Sequence, residues 1–203
     1  MVNHDIYPEL CKKETNSPMN ENELQLRFGQ LAYDSAYQAR LPLDQWQPKH
    51  CGEMDLCIRA NGEWWHEGRQ IHRTSLIQLF SRVLCKEQEQ YYLKTPTEKM
   101  LIHVEDEALF VDRVARIMVD GKALICLSTT DNDHVVIDET HAPFMRDYQG
   151  EMRPYIYIRH GLLALIQRHA FYHLIEEGEL IENEAGETIL ILQSGDFCLH
   201  LHS

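Results

Sequence analysis

Residues 52–73, GEMDLCIRANGEWWHEGRQIHR, constrain this chain more than any other stretch. Leu56, Ile58 and Ala60 alternate with Cys57 and Arg59, and Asn61-Gly62 then supplies the two positive-φ residues that a two-residue type I′ turn requires. The spacing predicts a hairpin with Ala60 opposite Glu63, so that Ile58 faces Trp65 on one side of the ribbon and Arg59 faces Trp64 on the other. The first is an apolar pair and the second a cation–π pair. Two adjacent tryptophans therefore point opposite ways. At least one belongs to the core, and the other is free to cover a pocket or an interface, which makes Trp64 a candidate binding residue.

Around this hairpin the chain divides into an N-terminal extension with one helix (residues 1–50), a first α+β unit (51–108) and a second α+β domain (109–203). Residues 1–20 mix Pro, Asn, Lys and Glu without periodicity. Over 21–39, Leu24, Phe28, Leu31 and Tyr37 recur at helical spacing. After Gly68, Thr74 or Ser75 can cap a helix reaching Lys86, with Leu76, Ile77, Leu79, Phe80, Val83 and Leu84 in one broad stripe. Strands are expected over 91–95 and about 99–104, joined through Pro96 and Thr97. Three more fall between Phe110 and Asp138, the first two joined by Asp120-Gly121 and the third starting near His134. Residues 139–154 read as a connecting loop. A strand over 155–159 then enters a second helix beginning near Gly161, and strands around 188–192 and 197–201 close the chain.

An internal repeat is visible in this pattern. Leu76-Ile77-Gln78-Leu79-Phe80-Ser81-Arg82 lies over Leu162-Leu163-Ala164-Leu165-Ile166-Gln167-Arg168 at an offset of 86 residues, which also aligns Arg73 with Arg159. Residues 99–104 lie over 196–201 at an offset of 97. The expected architecture is therefore α+β, two related strand-helix-hairpin units produced by duplication.

The residues Trp46-x-Pro48, Cys51-Gly52-x-x-Asp55-x-x-Ile58, Asn61-Gly62-x-Trp64, Glu67-Gly68, Ile71-x-Arg73, Leu79-Phe80, Leu84 and Tyr92-Leu93-x-Thr95-Pro96-x-Glu98-Lys99 carry a family resemblance. Together with Tyr155, Arg159-x-Gly161-Leu162 and Phe171-Tyr172, they make residues 46–203 resemble the bacterial family called domain of unknown function 1285. The chain has Asn61-Gly62 where that family favours Asp-Gly, and Gln70 where a small residue or Pro is frequent. The resemblance implies two related α+β halves, the second superficially like a pleckstrin-homology fold, with binding at their junction and no established activity.

Charge and motifs narrow the function classes. The formal net charge is -13, which argues against nucleic acid as a partner, because phosphate binding draws on clustered Lys and Arg. Residues 51–104 carry seven acids and seven bases, whereas 105–151 carry eleven acids and four bases. An anionic ligand therefore belongs near the first half. No run of about 18 apolar residues and no signal-peptide pattern occurs, so a cytoplasmic protein without membrane contact is expected. The six cysteines lack CxxC spacing and are expected to stay reduced.

His169 and His173, four apart on the expected second helix, share the stripe of Leu162 and Ile166 and read as core or interface residues. Neither they nor His200 and His202 make a metal site, and no cofactor is expected. Asp131-Asn132-Asp133 lacks the Gly and Glu of a calcium loop and reads as a turn. Glu105-Asp106-Glu107 reads as a solvated edge. In Thr95-Pro96-x-Glu98-Lys99, Pro96 presets a turn that can hold Thr95 and Glu98 rigidly, either for binding or for the turn alone.

Three function classes fit. The first is a non-enzymatic binding or regulatory protein, with a signalling role among its uses, whose ligand is a small anion or a partner's carboxylate. Its site lies at the junction of the two units and uses Arg73, Arg159, Thr95, Glu98 and Trp64, since arginine's planar fork suits a carboxylate. Against a ligand role, each arginine can instead make an internal salt bridge. The second is an enzyme with Glu98, Arg73 and a histidine assembled across that junction, and the third a structural homo-oligomer using strand edges.

Overall fold

The structure is a computed structural model and describes residues 41–182 and 188–202. The helix expected over 21–39 lies outside the described residues. The chain forms two compact units, one containing the residues up to Cys57 with Trp64–His103, the other containing Ile58–Glu63 with Val104–Ser203.

From the start of the described chain, a short 3-10 helix (Leu43–Gln45) precedes β1 (His50–Ile58), β2 (Trp64–His66), β3 (Arg69–Gln70), α1 (Thr74–Val83), β4 (Leu84–Glu87), β5 (Gln90–Lys94) and β6 (Glu98–Val104). The sheet order is β3-β2-β1-β6-β5-β4. The hairpin after β1 is present, but its turn is one residue longer than expected. Gly62 N–H donates to the Arg59 carbonyl at 2.8 Å and Arg59 N–H to the Glu63 carbonyl at 2.9 Å, with Gly62 at φ 87°. This is the three-residue loop that closes with a left-handed glycine. Arg59, not Ala60, stands opposite Glu63, and a one-residue slip reverses every side chain. Trp64 consequently turns inward, 3% exposed, and stacks on Phe80 at 6.0 Å between ring centroids. Gly62 has a second reason to be glycine, because a Cβ there would stand 3.2 Å from the Phe110 ring.

Leu76, Leu79, Phe80 and Val83 form the buried stripe of α1. The helix ends at Val83, short of the expected Lys86, because Leu84 to Glu87 pair with β5 from Leu84↔Leu93 to Glu87↔Gln90. Leu84 and Cys85 are buried in that strand.

The second unit comprises β7 (Leu109–Val119), β8 (Lys122–Thr129), β9 (His134–Val136), β10 (Phe144–Tyr148), β11 (Glu151–Arg159), β12 (Leu162–Ile166), α2 (Arg168–Glu176), β13 (Glu179–Glu182), β14 (Thr188–Ser194) and β15 (Phe197–His202). A six-stranded sheet runs β10-β11-β12-β7-β8-β9, and β13-β14-β15 form a second sheet. Asp120-Gly121, at φ 49° and 78°, makes the expected two-residue turn between Val119 and Lys122. The two sheets meet where Ile125 N–H donates to Ser194 Oγ at 3.1 Å and Gly195 N–H to the Ala123 carbonyl at 2.8 Å.

This architecture overturns the expected α+β pair of duplicated strand-helix-hairpin units. The chain is predominantly β, with two six-stranded sheets and two α-helices among the described residues. The helix expected from Gly161 is strand β12, so the 86-residue offset sets helix α1 over a strand. His160 and Gly161, at φ 46° and 77°, form a turn, not a helix start. β12 pairs antiparallel with β11 and parallel with β7, with Leu162, Ala164 and Ile166 fully buried. A five-residue apolar run fits a buried strand or a helix equally by periodicity, and neighbours on both sides decide for the strand. Arg168 opens α2 instead of ending a helix as Arg82 does, and Leu162 and Ile166 share no helical stripe with His169 and His173. The loop expected over 139–154 contains β10 and the start of β11, joined by Gln149-Gly150 at φ 55° and 86°.

Candidate functional site

The expected site residues are distributed over both units. In the first, Arg73 is exposed at the start of α1, where its carbonyl accepts the Leu76 and Ile77 amides at 2.9 and 3.2 Å. Trp64 belongs to the core. The Thr95 hydroxyl accepts the Glu98 amide at 3.0 Å, and the Thr95 amide donates to the Glu98 carbonyl at 2.8 Å, so the threonine is spent on the turn. Glu98 is half-buried. In the second unit Arg159 is buried at the end of β11, its Nε 2.9 and 3.1 Å from the two carboxylate oxygens of Asp133. Arg73 opens a helix and Arg159 ends a strand, so the two are not equivalent positions. His169 Nε2 lies 2.8 Å from the Asp112 carbonyl, and His173 Nδ1 3.2 Å from Glu176 Oε2.

A charged cluster absent from those expectations lies on one face of β4, β5 and β6. Alternation places Cys85 and Glu87 of β4, Tyr92 and Lys94 of β5 and Lys99 of β6 on the same side. Lys94 Nζ donates to Glu87 Oε1 at 2.9 Å and Lys99 Nζ to Glu87 Oε2 at 2.5 Å. Lys99 also lies 3.9 Å from the centroid of the Tyr92 ring. Burial by itself pushes the Glu87 carboxyl up, but the bonds and charges of Lys99 and Lys94 outweigh it and hold it below the ordinary glutamate value. Burial by itself lowers the Lys99 ammonium, and the bond to Glu87 reverses that. The Cys85 thiol is pushed up to about 11, first by burial and then by Glu87, so it is a protonated thiol and a poor nucleophile at neutral pH. Ending α1 at Val83 is what brings Cys85 and Glu87 onto this face. A helix through Lys86 hides the alternation, which was the one signal available in the sequence.

Of the acidic run Glu105-Asp106-Glu107, expected as a solvated edge, only Glu105 is exposed. The Asp106 and Glu107 side chains are 1% exposed. Arg146 donates Nη2 to Asp106 at 2.9 Å and Nη1 to Glu107 at 2.8 Å, while Arg153 Nη1 lies 3.4 Å from Asp106. The Tyr155 hydroxyl donates to Asp106, and the Arg146 guanidinium stacks on the Tyr155 ring at 3.9 Å. Burial and this bond to Asp106 push the Tyr155 phenol up to about 12. Burial alone would lower the Arg146 guanidinium, but Glu107 and Tyr155 raise it above the ordinary arginine value. The partners lie 39 and 40 residues away in sequence, which is why a local reading left the carboxylates in solvent.

Among the described residues no group of three or more His, Cys, Asp or Glu side chains is placed to hold a metal ion, and no helix is long and apolar enough to cross a membrane. No curated protein matches the chain. The crystal structure of a DUF1285 family protein from Silicibacter pomeroyi DSS-3 is similar at 31% identity and a TM-score of 0.70, covering 82% of this chain and 89% of that one. A DUF1285 family protein from Shewanella baltica OS155 is similar at 23% identity and a TM-score of 0.49, covering 62% of this chain and 94% of that one. The N-terminal domain of DUF1285, a domain of unknown function, matches residues 41–107, and the C-terminal domain matches 109–201. With both domains matched in order along one chain, this protein belongs to the DUF1285 family.

Proposed function

We propose that this protein is a non-enzymatic binding protein with a regulatory role, of the kind used in signalling, that acts in the cytoplasm and takes a small anionic ligand. The observation that carries this reading is the arrangement of Lys94 and Lys99 around the single carboxylate of Glu87. In a chain of net charge -13, two ammonium groups are drawn around one carboxylate on one sheet face, in the half where acids and bases balance. Electrostatic attraction at such a place is strengthened by partial burial. Arg159, by contrast, is held by Asp133 inside its own unit.

The test is a thermal-shift titration of the whole chain against inorganic phosphate, nucleotides and small carboxylates at constant ionic strength. A ligand that binds the native state raises the melting temperature as its concentration passes its dissociation constant. A saturable rise with one class of anion supports the reading, and no rise with any of them overturns it.

A second reading, assembly through a strand edge, is favoured by β13. It occupies an outer position of its three-stranded sheet, and all four of its residues are exposed, including Leu180 and Ile181. An exposed apolar edge strand invites pairing with another chain. Sedimentation over a range of protein concentrations decides it. A dimer that Leu180→Lys converts to monomer supports assembly, and a monomer at every concentration sinks it.

A further inference from the structure

The three charged groups on the β4-β5-β6 face differ in how firmly they are held. The Lys94 and Lys99 side chains are 10% and 19% exposed, whereas that of Glu87 is 42% exposed. The cations are the embedded members and the carboxylate is the outward one. Lys99 is also braced by the Tyr92 ring beneath it, and Lys94 and Lys99 are paired residues of β5 and β6, so the strand register sets their spacing.

The two lysines share one carboxylate between them. Each carboxylate oxygen of Glu87 accepts from a different ammonium group. Asp44, exposed on the 3-10 turn, is a further carboxylate within electrostatic reach of Cys85. The outward member also sits at the end of an edge strand. β4 is the last strand of its sheet, and Glu87 is its final residue before the turn. That turn is made by Gln88 and Glu89 at φ 51° and 64°, a left-handed pair for which Asn-Gly is the favoured sequence.

We propose that Lys94 and Lys99 form an anion-binding site that Glu87 closes from within, its carboxylate holding the place of a ligand's paired oxygens and swinging out when that ligand enters. This rests on the reading of the protein as an anion-binding one and adds the site and its gate. The ligand class is a small carboxylate or phosphate, because either presents two oxygens to the two ammonium groups, as Glu87 does. No covalent step is involved. The ligand replaces one set of charge-assisted hydrogen bonds by another, and its apparent affinity is lowered by the internal competitor.

The experiment is calorimetric titration of inorganic phosphate and of acetate into the full-length parent, Glu87→Ala, and Glu87→Ala combined with Lys94→Met, with sodium chloride holding ionic strength constant. Cooperative thermal melts establish that each variant is folded. If the Lys94 variant does not fold, Lys99→Gln in the Glu87→Ala background takes its place. Expected are measurable binding to the parent, binding to Glu87→Ala at least tenfold tighter, and loss of that gain in the double variant. The arm with the larger gain identifies the ligand as carboxylate or phosphate.

Two outcomes overturn the gate alone. Binding to Glu87→Ala with none to the parent makes Glu87 a permanent structural carboxylate. Parent binding unaffected by the Glu87 and lysine changes places the anion elsewhere and leaves the broader reading standing. Absence of binding to parent and variants alike, together with no response in the wider anion panel, ends both.

Discussion

Arg159 meets Asp133 through its Nε, which lies 2.9 and 3.1 Å from the two carboxylate oxygens across 26 residues of sequence. Both side chains are largely buried. Removing one member of such a pair strands the other charge, which costs ~3–5 kcal/mol. Arg159→Met is therefore expected to lower unfolding stability by about that amount, read from urea melts. The loss should be nearly absent when Asp133→Asn is already present, since the stranded charge is then gone. Equal losses in both backgrounds would place the effect elsewhere.

The buried carboxylates of Asp106 and Glu107, held by the half-buried Arg146, make a further demand. Arg146 supplies a separate bond to each carboxylate, and Arg146→Met leaves both short of a donor. A loss of at least ~3 kcal/mol is expected by chemical denaturation. Tyr155→Phe removes one donor and keeps the ring under the guanidinium, so its cost should be smaller, ~1–3 kcal/mol. Should Tyr155→Phe prove the more damaging, the hydroxyl outranks the ion pair and the expected order of the two costs is reversed.

Stability should follow pH in a direction set by Glu87 and Lys99. The Glu87 carboxyl lies below its ordinary 4.5, so its contribution is in place above that value and is lost as pH falls through the lower folded-state pKa. The Lys99 ammonium lies above its ordinary 10.5, so its contribution is in place below that value and is lost as pH rises through the higher folded-state pKa. Denaturant melts of Glu87→Gln and parent should therefore differ most between these limits and converge in acid. A difference that grows as pH falls below the glutamate range contradicts the assignment.

Trp64 is expected to behave as a core residue. Its ring stacks on Phe80 in the first unit, and Trp64→Ala should cost ~3–5 kcal/mol. Trp65, half-buried on the neighbouring position, should cost less. Equal costs for the two, measured by urea unfolding, would show that the turn register does not separate their environments.

Duplex DNA is not an expected ligand. The net charge of -13 sets a repulsive background, and specific binding draws on a stripe of bases that releases counterions. Fluorescence anisotropy at low salt should detect no submicromolar, salt-sensitive complex.

The sequence by itself determined the family, one hairpin turn and one helical stripe. Asp120-Gly121 sits between β7 and β8 as its preference for positive φ dictates, and the α1 stripe from Leu76 to Val83 follows from helical spacing. These depend on neighbouring residues alone. Tertiary structure decided what local preference leaves balanced. Leu162–Ile166 is apolar throughout, and the backbone partners offered by β7 and β11 made it a strand, dissolving the apparent duplication. The hairpin turn at Asn61-Gly62 took one residue more than its dipeptide asks, and that single residue carried Trp64 from a candidate binding surface into the core. Charges were the least legible. Asp106 and Glu107 are buried because Arg146 reaches them from β10, and Glu87 gathers Lys94 and Lys99 because three strands align their alternate residues. A carboxylate's surroundings depend on which distant cation the fold brings to it, and no local period records that.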